Sequence, residues 1–355
     1  MSSIINIALF GIGNVGSTLI QQISDFNTKV KETRINLFAI ANSKKLLVGN
    51  DIGSLSWGAI FEKNATPYEI DDVFAFAKAN SLENLLVVDV TASASFVDNY
   101  LLFIQEGFHI VTANKIANTL SYDFYQELRN ALDLHNKQFH YETNVGAGLP
   151  VIETIKNLHQ SGEEIHKIRG VFSGSLSYLF NTFSKEEKNF SEILLEADAL
   201  GLTEPDARED LSGKDVARKL LILGRELGVE KEVEDVQVQS LVPSSLHGKT
   251  TVDEFHQNIQ TLDPIFKINK DKLGEGEVLR HIGELDVKTH HLEVKLIPEP
   301  STTALGQTKG ADALFEIYTE SYGEQPLVIQ GAGAGKAVTA RGVLSDILKV
   351  AQSLN

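Results

Sequence analysis

Cysteine is absent from the 355 residues. No disulfide, thiolate metal site or thiol nucleophile can therefore form in this chain, and the absence fits a reducing compartment. Basic charge is also scarce: 32 Lys plus Arg stand against 48 Asp plus Glu, a formal net charge of −16. Such an excess repels phosphate backbones and anionic lipid surfaces, so neither nucleic acid nor membrane is expected as a partner. No apolar run approaches the roughly 18 residues of a membrane span. Met1 leads into Ile4–Phe10 without a basic leader, and a cytoplasmic protein is expected. Repeats and low-complexity tracts are missing, and the ten histidines show no metal-ligand spacing, with His290-His291 read as a loop pair. With 42% hydrophobic and 23% charged residues, the chain has the balance of a globular protein of two or three structural units.

The apolar, β-rich run Ile4–Phe10 breaks at Gly11 and is followed by Ser17–Ile23, where Leu19, Ile20 and Ile23 keep helical spacing. Further strands are predicted at Ile35–Ala41, Leu85–Val90, His109–Thr112 and Gln138–Thr143, with helices at Phe96–Glu106 and Tyr122–His135. The uninterrupted apolar run beginning at Leu85 suits a strand covered on both faces. This β/α alternation predicts an α/β fold with a Rossmann-type doubly wound, mainly parallel sheet. Two glycines and a proline in Asn144–Pro150 mark a domain junction. Beyond it come a strand at Lys167–Phe172 and helices at Ser175–Phe183, Phe190–Leu200 and Ser212–Leu227. Strands at Val278–Val287, Leu292–Ile297, Ala313–Glu320 and Leu327–Ile329 would suit a sheet of mixed or antiparallel pairing. The charged cluster Lys185–Lys188 reads as a solvated loop or helix end. Gly331–Gly335 leads into a last helix, Val338–Leu354.

Gly11-Ile12-Gly13-Asn14-Val15-Gly16 matches G-x-G-x-x-G between a strand and a helix, the context that a dinucleotide pyrophosphate needs. About 20 residues on, NAD-specific sites place a carboxylate on the ribose 2′-hydroxyl. The sequence there is Ala41-Asn42-Ser43-Lys44-Lys45, with no carboxylate to repel a 2′-phosphate and two lysines able to neutralise one. NADP is therefore preferred, with NAD possible, although either lysine alone could be a solvated loop charge. Lys115 closes a strand at the carboxyl edge of the sheet, where open α/β folds bind ligands, and Asp89–Ser93 ends another with small hydroxyl residues.

Gly201–Lys219 packs five carboxylates and four cations, Lys214 among them, ahead of an apolar helix. Ser212 and Asp215 have the spacing of a capping box. Lys219 lies four residues after Asp215 on the same helical face, beside Val216, Leu220 and Leu223. Apolar surroundings would lower its pKa toward proton exchange with an alcohol, whereas Asp215 would favour the ammonium; spacing leaves the balance open.

Through Gly11–Gly16, Thr112–Lys115, Glu142–Pro150, Phe172–Tyr178, Gly201–Lys219 and Gly331–Gly335, in order, the chain resembles the homoserine dehydrogenase family from end to end. The resemblance implies NADPH-dependent, reversible reduction of L-aspartate 4-semialdehyde to L-homoserine, a step of threonine and methionine biosynthesis. It implies that Lys219 gives the substrate oxygen its proton, with Lys115 beside the carbonyl and touching the cofactor. Gly201, Glu204, Asp210 and Asp215 would form the substrate cluster, and Thr91 and Gly335 would lie near the nicotinamide half. Glu142, Val145, Ala147 and Leu149 would hold a monovalent cation, sodium or potassium. The implied domains are 1–143 plus 331–355 for the dinucleotide, 144–166 plus 286–330 for dimerisation, and 167–285 for an α+β catalytic region, in a homodimer. Ser175, Leu202 and Lys214 depart from residues common in the family, and none removes a proposed catalytic group. The chain's extent matches the short, monofunctional form without a regulatory domain.

Rival enzymes fare less well. A phosphorylating semialdehyde dehydrogenase needs the cysteine this chain lacks. An amino-acid dehydrogenase forming an imine would reveal itself with ammonia and oxaloacetate. A non-catalytic dinucleotide sensor would not need Lys115, Glu204, Asp215 and Lys219 together.

Overall fold

Along Ser3–Phe10 (β1), Ile5, Ile7 and Leu9 enter one hydrophobic core while Ala8 and Phe10 enter another. Alternating side chains that are apolar on both faces require cover on both faces. Thr33–Ala41 (β2), Leu85–Asp89 (β5) and His109–Thr112 (β6) divide their residues between the same two cores. The first core is closed by helices Asn14–Lys29 and Lys336–Ser353, and the second by Asp71–Ala79, Tyr100–Gln105 and Tyr122–Leu134. This computed structural model describes residues 3–50, 52–53, 56–67, 69–247 and 250–354. Lys45–Val48 (β3), Thr66–Pro67 (β4) and Phe139–His140 (β7) complete a sheet of order β4-β3-β2-β1-β5-β6-β7. Its β2-β1-β5-β6-β7 part is parallel, and β3 and β4 add antiparallel pairs at one edge. The order reverses between β1 and β5, which makes a crevice at their carboxyl ends.

The chain divides into two units, Met1–Gly148 with Gly335–Asn355, and Leu149–Ala334. In the second unit, Ile165–Val171 (β8), Gln237–Val238 (β9), Glu277–Asp286 (β10), His291–Pro300 (β11), Asp312–Thr319 (β12) and Leu327–Ala332 (β13) form a sheet of order β13-β12-β8-β10-β11-β9. All pairs are antiparallel except β11 with β9. The segments 144–166 plus 286–330 and 167–285 thus contribute to one sheet, since β8 lies between β12 and β10. Arg169 binds Glu316 at 2.7 Å and Glu299 at 3.2 Å, and Lys295 binds Glu293 at 2.6 Å and Glu284 at 3.0 Å.

Three local expectations are corrected. The helix expected at Phe96–Glu106 is two short helices, Ala94–Val97 and Tyr100–Gln105. At the break Asn99 sends its side-chain amide to the carbonyls of Ser95 and Phe96, competing with helix continuation. The strand expected at Gln138–Thr143 ends at His140 and gives way to a 3₁₀ turn, Glu142–Asn144. There the Glu142 amide donates to the buried Asp346 carboxylate at 2.9 Å, so a side chain replaces a neighbouring strand. The third concerns the helix expected from Ser212, which begins at Lys214. Gly213, at φ +71°, is its N-cap, and Ser212 donates to the Glu209 carbonyl instead of building a capping box with Asp215. The sequence pattern also passed over the short hairpin strand β3, whose buried pair Leu46 and Leu47 is too brief to show a period.

His281 on β10 is buried, and neither ring nitrogen has a hydrogen-bond partner among the described residues. Burial lowers its pKa to about 4. In the unfolded chain the ring takes a proton near pH 6.5, so its neutral folded form costs nothing above that pH. Below it, stability should fall by about 1.4 kcal/mol per pH unit until the folded pKa is reached. Urea unfolding of wild type and His281→Phe at pH 7 and pH 5 checks this. The wild type should lose more stability between the two; an equal loss would clear His281.

Candidate active site

The turn after β1 is built by close approach. A Cβ at Gly16 would lie 1.9 Å from the Gly11 carbonyl oxygen, so only glycine lets the helix start so near the strand. Gly13 is the N-cap of Asn14–Lys29, which has no side-chain cap and no acidic residue in its first turn. Such a helix start presents backbone N–H groups and a positive dipole end to an anion. Ile12 and Val15 anchor the loop against the first core. At the end of β2, Asn42 turns its side-chain oxygen onto its own loop, accepting from the main-chain amides of Lys44 and Lys45 at 2.8 Å each. Lys44 is exposed and Lys45 begins β3. Gly335, at φ +116°, is the N-cap of the last helix.

At the carboxyl ends of β5 and β6 lies a group that sequence reading treated only as part of a strand end. Asp89, fully buried, accepts from the Thr91 amide at 2.7 Å, the Tyr100 hydroxyl at 2.7 Å and the Asn114 side-chain amide at 3.0 Å. Burial pushes its carboxyl above the ordinary range, and those hydrogen bonds oppose the rise. The carboxylate thus ties the loop carrying Thr91 to the segment carrying Lys115, which follows Asn114 and starts a 3₁₀ turn. A carboxylate closing an apolar strand was the available signal.

In the second unit, Gly201 ends helix Phe190–Ala199 in a left-handed conformation, φ +67°. Its amide donates to Asp198, and that of Leu202 to Ala197, the Schellman pattern of a helix terminus. That accounts for glycine at 201 without a ligand. Asp206 caps the short helix Ala207–Leu211 and binds Arg208 at 2.7 Å, while Arg208 also reaches the Thr250 carbonyl and hydroxyl. These residues are structural. Asp210 then accepts from the Ser175 hydroxyl at 2.6 Å and from the Glu204 amide at 2.8 Å. Burial raises the Asp210 carboxyl's pKa, those two hydrogen bonds lower it, and of the two nearby charges Asp215 raises it and Lys219 lowers it. The sequence-separated residues 175, 204, 210, 215 and 219 therefore form one polar cluster.

Lys219 projects from helix Lys214–Glu226 with its ammonium 2.8 Å from Asp215 and donating to the Phe172 carbonyl at 2.9 Å. Its side chain is 13% exposed against 41% for Asp215. A mostly buried amine with two acceptors is held in place, which a solvated surface lysine is not.

Glu142, Val145 and Ala147 lie in a buried loop of the first unit, with Gly146 and Ala147 at φ +77° and +54°. Leu149 begins the second unit. The loop is packed tightly on the last helix: a Cβ at Gly148 would lie 2.7 Å from the Val338 carbonyl oxygen. Among the described residues, no group of three or more His, Asp or Glu side chains could hold a metal ion.

A family model described as homoserine dehydrogenase matches residues 150–348, and one described as homoserine dehydrogenase, NAD binding domain, matches residues 11–142. The chain belongs to the homoserine dehydrogenase family of oxidoreductases. It is 37% identical to the homoserine dehydrogenase of Saccharomyces cerevisiae over 363 residues, covering 99% of this chain and 99% of that one. It is 38% identical to a bifunctional aspartokinase/homoserine dehydrogenase of Haemophilus influenzae, and spans 43% of that protein's length. A crystal structure of a Candida auris protein of unknown function is 34% identical, with a TM-score of 0.90 and 99% of each chain covered. A hyperthermophilic archaeal homoserine dehydrogenase in complex with NADPH, 22% identical with a TM-score of 0.74, covering 99% of this chain and 98% of that one, shares the fold. Among the described residues no helix of this chain is long and apolar enough to cross a membrane.

Proposed function

We propose that this chain reduces L-aspartate 4-semialdehyde to L-homoserine, reversibly, with NADPH preferred over NADH, as a cytoplasmic enzyme of threonine and methionine biosynthesis. The observation that carries this reading is Lys219, anchored by Phe172 and Asp215 beside the Asp210 cluster. When bound, the cofactor supplies the hydride that the aldehyde carbon accepts. The residues fit it: an uncapped helix start for the pyrophosphate, and Asn42 with two lysines in place of a ribose-binding carboxylate.

An ammonium has three N–H donors. Two of those of Lys219 face Phe172 and Asp215, and we assign the third to the substrate oxygen, directly or through one ordered water. As the carbonyl becomes an alkoxide, that proton passes to oxygen and the alcohol forms; in reverse, the neutral amine accepts it. The substrate's ammonium calls for carboxylates, which Glu204 and Asp215 supply, while Asp210 fixes the loop bearing Glu204 by accepting its amide. We assign to Lys115 the stabilisation of negative charge growing on the carbonyl oxygen, together with a cofactor contact; Thr91 and Gly335 serve the nicotinamide half.

We assign a potassium or sodium ion to Glu142, Val145, Ala147 and Leu149, because a carboxylate residue with main-chain carbonyls offers the hard oxygen donors such ions take. A homodimer through the second unit's sheet accords with β13 being an edge strand with alternate residues exposed. Sedimentation at micromolar concentration should show the dimer, and monomer alone would refute it. Replacing alkali cations with tetramethylammonium should lower kcat, with recovery on adding potassium or sodium; an indifferent enzyme would exclude the ion.

The central test follows absorbance at the nicotinamide band with aspartate semialdehyde. NADPH should give the higher kcat/KM, and equal or better efficiency with NADH would reverse the preference. Lys219→Ala should lower kcat by roughly 10²–10⁴-fold with cofactor affinity almost unchanged. Lys219→Arg should fare little better, because arginine keeps the charge but does not give up its proton. Asp215→Ala should raise the KM for homoserine and also lower kcat, since Asp215 holds Lys219. A folded Lys219→Ala enzyme with most of its kcat would move proton transfer to Lys115.

A further inference from the structure

Gly283 sits in the middle of β10, in regular register with Gly170 of β8 and Val294 of β11. Glycine weakens a strand interior, so its presence there asks for a reason. Backbone conformation is not the reason, because Gly283 is not among the glycines with positive φ. Space is. A Cβ at this position would lie 3.0 and 3.2 Å from two ring carbons of Phe172 and 3.2 Å from a methyl of Val216. These are the two sides of the Lys219 anchorage: Phe172 supplies the carbonyl that accepts from the ammonium, and Val216 is on the same helix, one turn before Lys219.

Neither neighbour can yield easily. Both are 1% exposed, and the Phe172 ring meets the buried Phe315 ring edge-on with centroids 4.9 Å apart. Leu220 and Leu223 are also buried on the Val216 helix, so Val216 can retreat only by moving the helix. An added methyl must therefore push the Phe172 main chain, the Lys219 helix, or both. The neighbours must give by a few tenths of an ångström; a displacement near 1 Å can cost about 10²-fold in rate, so a shift of this smaller size is expected to cost about tenfold.

We propose that Gly283 is a positioning residue for Lys219, the missing side chain forming the notch that sets where Phe172 and the Lys214–Glu226 helix hold the ammonium. This rests on Lys219 as the proton donor. Gly283→Ala should lower kcat about tenfold or more, counted per NADPH-binding equivalent so that misfolded protein does not enter, while the Kd for NADPH stays within about twofold. A purely structural role would lower Tm and leave that kcat unchanged.

Trimming the opposing side chain provides the rescue. In Gly283→Ala/Val216→Ala the 3.2 Å contact with the Val216 methyl is removed, the new methyl can ease off the Phe172 ring into the vacated space, and kcat should return to within about threefold of Val216→Ala alone. Should Gly283→Ala not yield folded protein, this double variant decides by the same comparison. Wild-type kcat in Gly283→Ala, or a double variant as impaired as Gly283→Ala or as Lys219→Ala, would overturn the proposal. Lys219→Ala measured alongside separates the two claims. If it keeps its kcat, the functional reading itself falls; if it is inactive while Gly283→Ala is normal, only the notch is lost.

Discussion

The parallel sheet of the first unit has two apolar faces, and one is closed only when the end of the chain comes back to it. Val343, Leu344, Ile347 and Val350 of the last helix are buried in the same core as Ile5, Ile7 and Leu9. Burial of each large apolar side chain is worth about 1.5–3 kcal/mol, well above the few tenths that a helix's exposed side-chain pairs add. The tertiary core therefore decides where this helix goes. Everything from Leu149 to Ala334 is consequently an insertion in the chain of the first unit. The close fit of Gly148 and Gly342 belongs to the same closure: a Cβ at Gly342 would lie 3.0 Å from the Gly148 Cα.

Within each unit the functional groups are held by acceptors that burial makes expensive to leave unmet. Asp89 collects three donors from around the ends of two strands, and Asp210 collects a hydroxyl from a helix and a main-chain amide from a loop. A buried carboxylate without such partners costs several kcal/mol, so each one selects a single loop arrangement. Lys219 is treated in the same way, through a carboxylate on its own helix and a carbonyl at the end of β8. Rigidity of this kind suits proton delivery, where geometry governs the rate.

Apolar periodicity and glycine spacing carry local information, and they located most strands within a residue or two, as at Ile35–Ala41 against Thr33–Ala41. They also marked Gly11–Gly16, because the fingerprint is a contiguous turn whose chemistry is backbone chemistry. Lys219 and Asp215 were legible for the same reason, four residues apart on one helix. The capping box was misread because Ser212 and Asp215 have the right types and spacing, while the left-handed Gly213 between them shifts the helix start.

Composition and local pattern thus determined the class of fold, the dinucleotide turn, the exclusion of cysteine chemistry and the helix that bears the Lys219 amine. Tertiary structure alone decided that the Phe172 carbonyl, 47 residues away in sequence, would hold that amine. It alone brought Ser175 to Asp210, ended β7 near the Asp346 carboxylate and packed Phe172 and Val216 against Gly283. The physical reason is range. Periods and caps act within about two turns of chain, whereas a buried donor, acceptor or methyl is constrained by whatever the folded chain packs against it.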